Sequence, residues 1–241
     1  MRESGGKEGS VNVSESELDE VRQEAESWNA EELLEWASRQ FNEKVALPSS
    51  FGAEGMVLID MSARAGLKFD LFTLDTDFLF PQTYALMDEI ENRYPIGIER
   101  IRPALTPERQ AEEHGEALWA RDPNLCCQIR KVEPLKAKLK GYGAWISGIR
   151  REQSATRANT MKVGWDAKFN LVKVNPLADW TSAQVWDYIR TNRVPYNPLH
   201  DQNYPSIGCT HCTRAVAPGE DMRAGRWPGF AKTECGLHEK G

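Results

Sequence analysis

VALPSSFGAEGMVLIDMSARA, residues 45–65, is the stretch on which the fold turns. Residues 45–50 form a short apolar run ending in two serines, the pattern of a strand buried in a parallel sheet. Residues 54–65 then read as a helix. Between them SSFGAEG, residues 49–55, carries small residues that let backbone N–H groups approach an anion at a helix N-terminus. The segment lacks GxxxxGK[ST] and so is not a Walker-type loop. Taken alone it reads as a plain strand-to-helix turn.

The same alternation extends outward. Downstream, strands are predicted over 69–74, 96–101, 144–148 and 171–174, and helices over 80–93, 107–114, 125–139 and 181–191. The last helix is well signalled, with Thr181 as N-cap and Gln184 three residues on. Upstream, residues 16–40 carry helical spacing and read as a helix pair, the second capped by Asn29. Strands alternating with helices predict an α/β fold with a mainly parallel sheet and flanking helices. In such sheets ligands sit beyond the C-terminal strand ends. Residues 1–15, rich in Gly, Ser and Glu, read as disordered, and 16–208 as the α/β domain. The regular pattern stops after Pro195, and residues 209–241, rich in Gly, Pro, Cys and Arg, read as a functional appendage with an irregular C-terminal tail.

A length of 241 residues suits one sizeable core. No apolar run approaches the ~20 residues a bilayer needs, and the N-terminal residues have no signal-peptide core. The expectation is a cytoplasmic protein with reduced thiols and no membrane partner. A net charge of −6 argues against an extended nucleic-acid surface. Residues 209–232, however, hold Arg214, Arg223, Arg226 and Lys232 against Glu220 and Asp221, which suits a small anionic ligand. The turn SGIRREQSATR, residues 147–157, concentrates Arg150, Arg151 and Arg157 at a predicted strand end, where planar forks bind phosphate or sulfate; a solvated basic loop is the equal alternative. Asp75, Thr76 and Asp77 end another strand, facing the crevice or capping the next helix.

The five cysteines carry the chemistry. Cys126 and Cys127 are adjacent, and after 81 intervening residues Cys209-Thr-His-Cys212 forms a CxxC knuckle. Four thiolates complete a tetrahedral zinc site or an iron–sulfur cluster. Neighbouring side chains on a helix diverge by ~100°, so an adjacent pair reaches two corners of a [4Fe–4S] cube more easily than one ion. Buried, inert cysteines explain one of the pair singly, but poorly a pair plus a knuckle. Cys235 lies six residues from the C-terminus in KTECGLHEKG, approached through Gly225 and Gly229 and followed by Gly236, so it reads as a nucleophile on a mobile segment. His238, Lys232 and the arginines supply the positive field a thiolate needs, and Glu234 opposes it.

Together SSFGAEG, CCQIRKVEPL, SGIRREQSATR, SIGCTHCTR and ECGLH resemble the assimilatory adenylyl-sulfate reductases, the iron–sulfur branch of the phosphoadenylyl-sulfate reductase family. The motifs stand in family order from residue 49 to 238, roughly four-fifths of the chain. The resemblance implies a fold similar to the adenine-nucleotide α-hydrolase (PP-loop ATPase) type. It implies a [4Fe–4S] cluster on Cys126, Cys127, Cys209 and Cys212, with Lys131 between cluster and substrate. It implies phosphosulfate contacts from Arg157, Arg223 and Arg226, nucleotide contacts from Ser50 and Gly148, and a substrate-side role for His238. The implied activity is thiol-dependent reduction of adenylyl sulfate to sulfite and AMP in sulfate assimilation, through an S-sulfocysteine on Cys235, with thioredoxin as reductant. The 3′-phosphorylated nucleotide is the alternative substrate, and assembly into a homo-oligomer is left open. Two competitors stand further off. A PP-loop sulfurtransferase or ATP-dependent ligase should carry SGGxDS where SSFGAEG stands, and a zinc-stabilised nucleotide-binding module should hold one zinc per chain.

Overall fold

The computed structural model describes residues 15–232 and 234–237. Among these, β1 (Val45–Pro48), β2 (Asp70–Leu74), β3 (Glu99–Ile101), β4 (Ala144–Ile146), β5 (Val163–Asp166) and β6 (Leu171–Val174) join in one sheet of order β3-β2-β1-β4-β6-β5. All neighbours are parallel except β5 and β6. The mainly parallel sheet is therefore present. The unpredicted strand, β5, is a short edge partner folded back on β6, and its exposed Trp165 faces out.

Alternation along the strands sends side chains to opposite faces. Val45, Leu47, Ala144, Ile146, Val172 and Val174 enter the larger core, packed with α1 (Glu15–Ala25), α2 (Ala30–Phe41), α3 (Ala53–Arg64), α4 (Pro81–Arg93) and α9 (Ser182–Asn192). Ala46, Phe72, Trp145 and Leu171 meet Leu135 and Leu139 in a smaller core on the other face. Both predicted caps are formed: Asn29 accepts from Glu32 N at 2.9 Å, and Thr181 accepts from Gln184 N at 3.2 Å.

The chain leaves β1 through α3 to reach β2 on one side, while β4 lies on the other and leads to β6. The sheet order thus reverses between β1 and β4, the position where α/β sheets open a ligand crevice. The register Ala46↔Trp145 brings the loops that follow these strands side by side.

One long predicted helix, 125–139, is instead three pieces. After α5 (Pro107–His114) and α6 (Leu118–Arg121) comes α7 (Pro123–Cys127), capped by Asp122. A π-turn over Gln128–Val132 follows, in which Glu133 N–H reaches the Gln128 carbonyl, and then α8 (Glu133–Lys138). Pro134 has no N–H to return to the Arg130 carbonyl, so the turn before it is free to widen. No helix among the described residues is long and apolar enough to cross a membrane.

Candidate active site

At the C-terminal ends of β1, β2 and β4 lies a cleft of about 240 Å³. Ser50, Lys131, Gly148, Arg157, Arg223, Arg226 and Cys235 all line it, although they come from five separate segments of chain. His238 lies outside the described residues. The loop after β1 is fixed by Phe51, fully buried with φ 57°, whose N–H donates to Ser49 Oγ at 3.0 Å. A bulky residue in that left-handed region is strained and persists only when packing compels it. Gly148 is needed for close approach: a Cβ there would stand 2.9 Å from Glu54 Cβ on α3. Ser147 Oγ, also on the cleft, is buried without a hydrogen-bond partner among the described residues.

The arginines of the 147–157 turn divide by direction. Arg150 is buried and bonds Glu54 at 2.8 Å and the Trp180 carbonyl at 3.1 Å, so it ties the turn to α3. Arg151 turns to Glu26 at 2.6 Å. Arg157 alone of the three faces the cleft. In the C-terminal segment, Arg214 pairs with Glu220 at the surface, whereas Arg226 lies over the Trp227 ring, 4.6 Å from its centroid, and lines the cleft. Arg226 Nε is buried with no hydrogen-bond partner among the described residues.

Beside the cleft a second, smaller cavity is lined by Cys126, Cys127, Cys209 and Cys212 with Phe78, Trp119, Arg130 and His211. Lys131, carried by the π-turn, lines both cavities. The CxxC knuckle is one tight turn, pinned by Thr210 N–H to the Phe78 carbonyl at 2.8 Å and by Trp227 N–H to the Cys212 carbonyl at 3.0 Å. All four thiols are buried and unbridged. Burial, then the neighbouring sulfurs, push the Cys126 thiol up to about 12 and Cys212 to about 11. Cys209 goes down instead: burial opposes ionisation there, but the Lys131 ammonium and a 3.3 Å hydrogen bond with Thr76 outweigh it. Lys131 is held protonated against its own burial by Cys209, Cys127 and Cys235. Among the described residues, no three His, Cys, Asp or Glu converge as they would on a single metal ion. The four sulfurs line one hollow, and the donor set fits a cluster.

Residues 234–237 lie docked along this cleft. Cys235 packs against Cys127, Cys209, Cys212 and Trp227, Lys168 Nζ donates to the Gly236 carbonyl, and Leu237 rests on the smaller core beside Trp145 and Phe169. Glu234 is buried, and Arg157 grips it bidentately, Nε to Oε1 at 2.8 Å and Nη2 to Oε2 at 2.6 Å. Arg223 Nη2 adds a third contact at 3.3 Å. The carboxylate expected to oppose the cationic field is therefore neutralised by it.

Sequence reasoning missed several of these groups. Arg130 is buried, bonding the Thr76 carbonyl and Asp77 Oδ2, each at 3.0 Å, so it braces the loop that follows β2. Ser147 and Gln153 stood within SGIRREQSATR without being singled out, and Lys168 had no motif to announce it. Arg130 carried a signal as a charged residue inside CCQIRK, between Cys127 and Lys131.

This sheet, with its ligand cleft at the reversal of strand order, is a PP-loop-like nucleotide-binding fold. It shares that fold with the FMN adenylyltransferase of Candida glabrata, at a TM-score of 0.56 and 14% identity over 83% of this chain and 66% of that one. The crystal structure of phosphoadenylyl-sulfate (PAPS) reductase from Candida auris, a phosphate complex, is more similar: TM-score 0.75 and 32% identity over 86% of this chain and 100% of that one. Residues 44–215 match the phosphoadenosine phosphosulfate reductase domain, and the chain belongs to that family. It is 49% identical to the adenosine 5′-phosphosulfate reductase of Shouchella clausii (strain KSM-K16), over 92% of this chain and 93% of the relative. Adenosine 5′-phosphosulfate reductase 2 of Bacillus subtilis (strain 168) is also 49% identical, over 87% and 89%.

Proposed function

We infer that this chain is an adenylyl-sulfate reductase, converting adenylyl sulfate to sulfite and AMP with thiols as the electron source. The observation that carries the reading is the meeting of Cys235 with Lys131, Arg157, Arg223 and Arg226 on one cleft at a nucleotide-binding strand reversal. The names of relatives nearly half identical over most of the chain favour adenylyl sulfate over its 3′-phosphorylated form. Rates with the two nucleotides decide between them.

The adenosine enters between the loops at Ser50 and Gly148, and the phosphosulfate extends toward the cations. The Cys235 thiolate attacks the sulfur of the sulfuryl group. A new S–S bond forms, the bridging S–O bond breaks, and its electron pair leaves with AMP. Lys131 and Arg226 stabilise the charge on the sulfuryl and leaving phosphate oxygens. A thiolate of a dithiol donor, thioredoxin by resemblance, then attacks Cys235 Sγ, and the S–S pair departs as sulfite. The donor's second thiol releases Cys235, so two thiols become one disulfide while sulfate sulfur gains two electrons.

Cys126, Cys127, Cys209 and Cys212 would hold the [4Fe–4S] cluster. When bound it supplies electrostatic tuning through Lys131 and need not exchange electrons. Cys235→Ser should abolish both sulfite release and the S-sulfo adduct, detected by mass spectrometry, while iron content and the brown colour remain. Persistent turnover in that variant would sink the assignment.

A further inference from the structure

We propose that Glu234 is a positioning residue for Cys235, and that Arg157 and Arg223 form the seat that holds it. The inference rests on Cys235 being the nucleophile. Every nitrogen of the Arg157 guanidinium has a partner: Nε and Nη2 hold the two Glu234 oxygens, and Nη1 donates to Gln153 Oε1. Thr156 Oγ1 adds a 3.4 Å contact to the same carboxylate. Three of its five N–H donors are committed in this way, two of them to the one carboxylate. Arg226 differs, since its Nε lies buried without a hydrogen-bond partner among the described residues while the side chain lines the cleft. All four cations line the cleft, and Arg157 with Arg223 also grips the residue next to the nucleophile.

The geometry has a direct consequence for the thiol. Glu234 precedes Cys235 immediately, so fixing its carboxylate at two oxygens sets where the next side chain points. The Gly236 carbonyl on Lys168 and Leu237 on the smaller core hold the other side. Cys235 is therefore clamped fore and aft, against the Lys131 face of the cleft.

The test is a set of steady-state and single-turnover measurements on the iron-loaded enzyme, with Glu234→Gln, Glu234→Asp, Arg157→Ala and the Glu234→Gln/Arg157→Ala double variant. Glu234→Gln should lower kcat and the rate of S-sulfo-adduct formation about ten- to hundredfold, the effect of losing hydrogen bonds to a charged group. KM for adenylyl sulfate should stay within about threefold, Glu234→Asp should recover part of the rate, and Cys235 of the substrate-free enzyme should alkylate faster. Arg157→Ala should show the same split, and the double variant should be no worse than the worse single one. The proposal is overturned if Glu234→Gln tightens substrate binding with kcat retained, because the carboxylate is then a competitor for the substrate's seat. It is equally overturned if Arg157→Ala raises KM with kcat retained. Cys235→Ser, run alongside, reports on the nucleophile itself, so failure of the seat and failure of the reaction assignment are told apart.

Discussion

Gly208 offers a way to displace an arginine without deleting it. A Cβ on Gly208 would lie 2.3 Å from Arg226 Nη2, 2.6 Å from Cζ and 2.9 Å from Nη1, far inside contact distance. Ordinary contact begins near 3.4 Å, so in Gly208→Ala the guanidinium must retreat by more than about 1 Å. The atoms struck are the far end of a flexible side chain, so the fold itself should lose only about 1 kcal/mol. Misplacing a charge-stabilising group by that distance lowers the rate about a hundredfold, and removing it outright costs a hundred- to a thousandfold. Gly208→Ala should therefore drop kcat/KM about a hundredfold while melting temperature and iron content stay near wild type. Arg226→Ala should lose at least as much, and the double variant should match Arg226→Ala, since the alanine then has nothing left to push. Sulfite-release assays on the three variants check this. Near-normal turnover in Gly208→Ala, or a double variant far below Arg226→Ala, would refute the placement of Arg226 against the substrate.

Acid should loosen the docked segment only at low pH. Burial raises the Glu234 carboxyl, but the hydrogen bonds and charge of Arg157, with the charge of Arg223, outweigh it and hold the group below the usual carboxylate range. The ion pair is then at full strength above about pH 5 and fades as pH falls through the depressed value. Hydrogen exchange at residues 235–237 should stay slow from pH 8 to 5 and quicken only below about pH 4; a transition between 5 and 8 would mean another group is the latch. Away from the cleft, buried Asp60 on α3 accepts from Tyr94 at 2.6 Å, Tyr188 on α9 at 2.8 Å and Arg64 at 2.6 Å. Asp60→Ala should destabilise the protein by about 3 kcal/mol, lowering the melting temperature by roughly 6–12 °C, with KM unchanged. A melting shift under about 2 °C would deny that hub its role.

What could be read from the chain follows from how local each determinant is. β1 and its loop were legible because a central strand is apolar on both faces and its exit is spelled within seven residues. The Asn29 and Thr181 caps were legible because cap and partner stand three residues apart. Cys126, Cys127, Cys209 and Cys212 were legible as a set from the adjacent pair and the knuckle, and the structure buries all four around one cavity. β5 was not, because an edge strand with a half-exposed face needs only a weak pattern. Nor was the break in 125–139, where apolar spacing survives the widened turn around Lys131. The meaning of Glu234 was least accessible. Its partner lies 77 residues upstream, and nothing in ECGLH distinguishes a seated carboxylate from one repelling the thiol. The same distance hid the division among Arg150, Arg151 and Arg157, whose neighbours in space come from α3, the turn after α1 and the C-terminal segment.

Leu237 has an implication for timing. Its side chain fills a hollow against the smaller core, so lifting residues 234–237 away bares greasy surface to water. For a half-covered leucine the penalty is about 1–2 kcal/mol, which biases the segment toward its dock by roughly five- to thirtyfold. Reaching Cys235 from solvent therefore means lifting a segment that is mostly tucked in, and an apolar surface that covers what the leucine leaves behind lowers that cost.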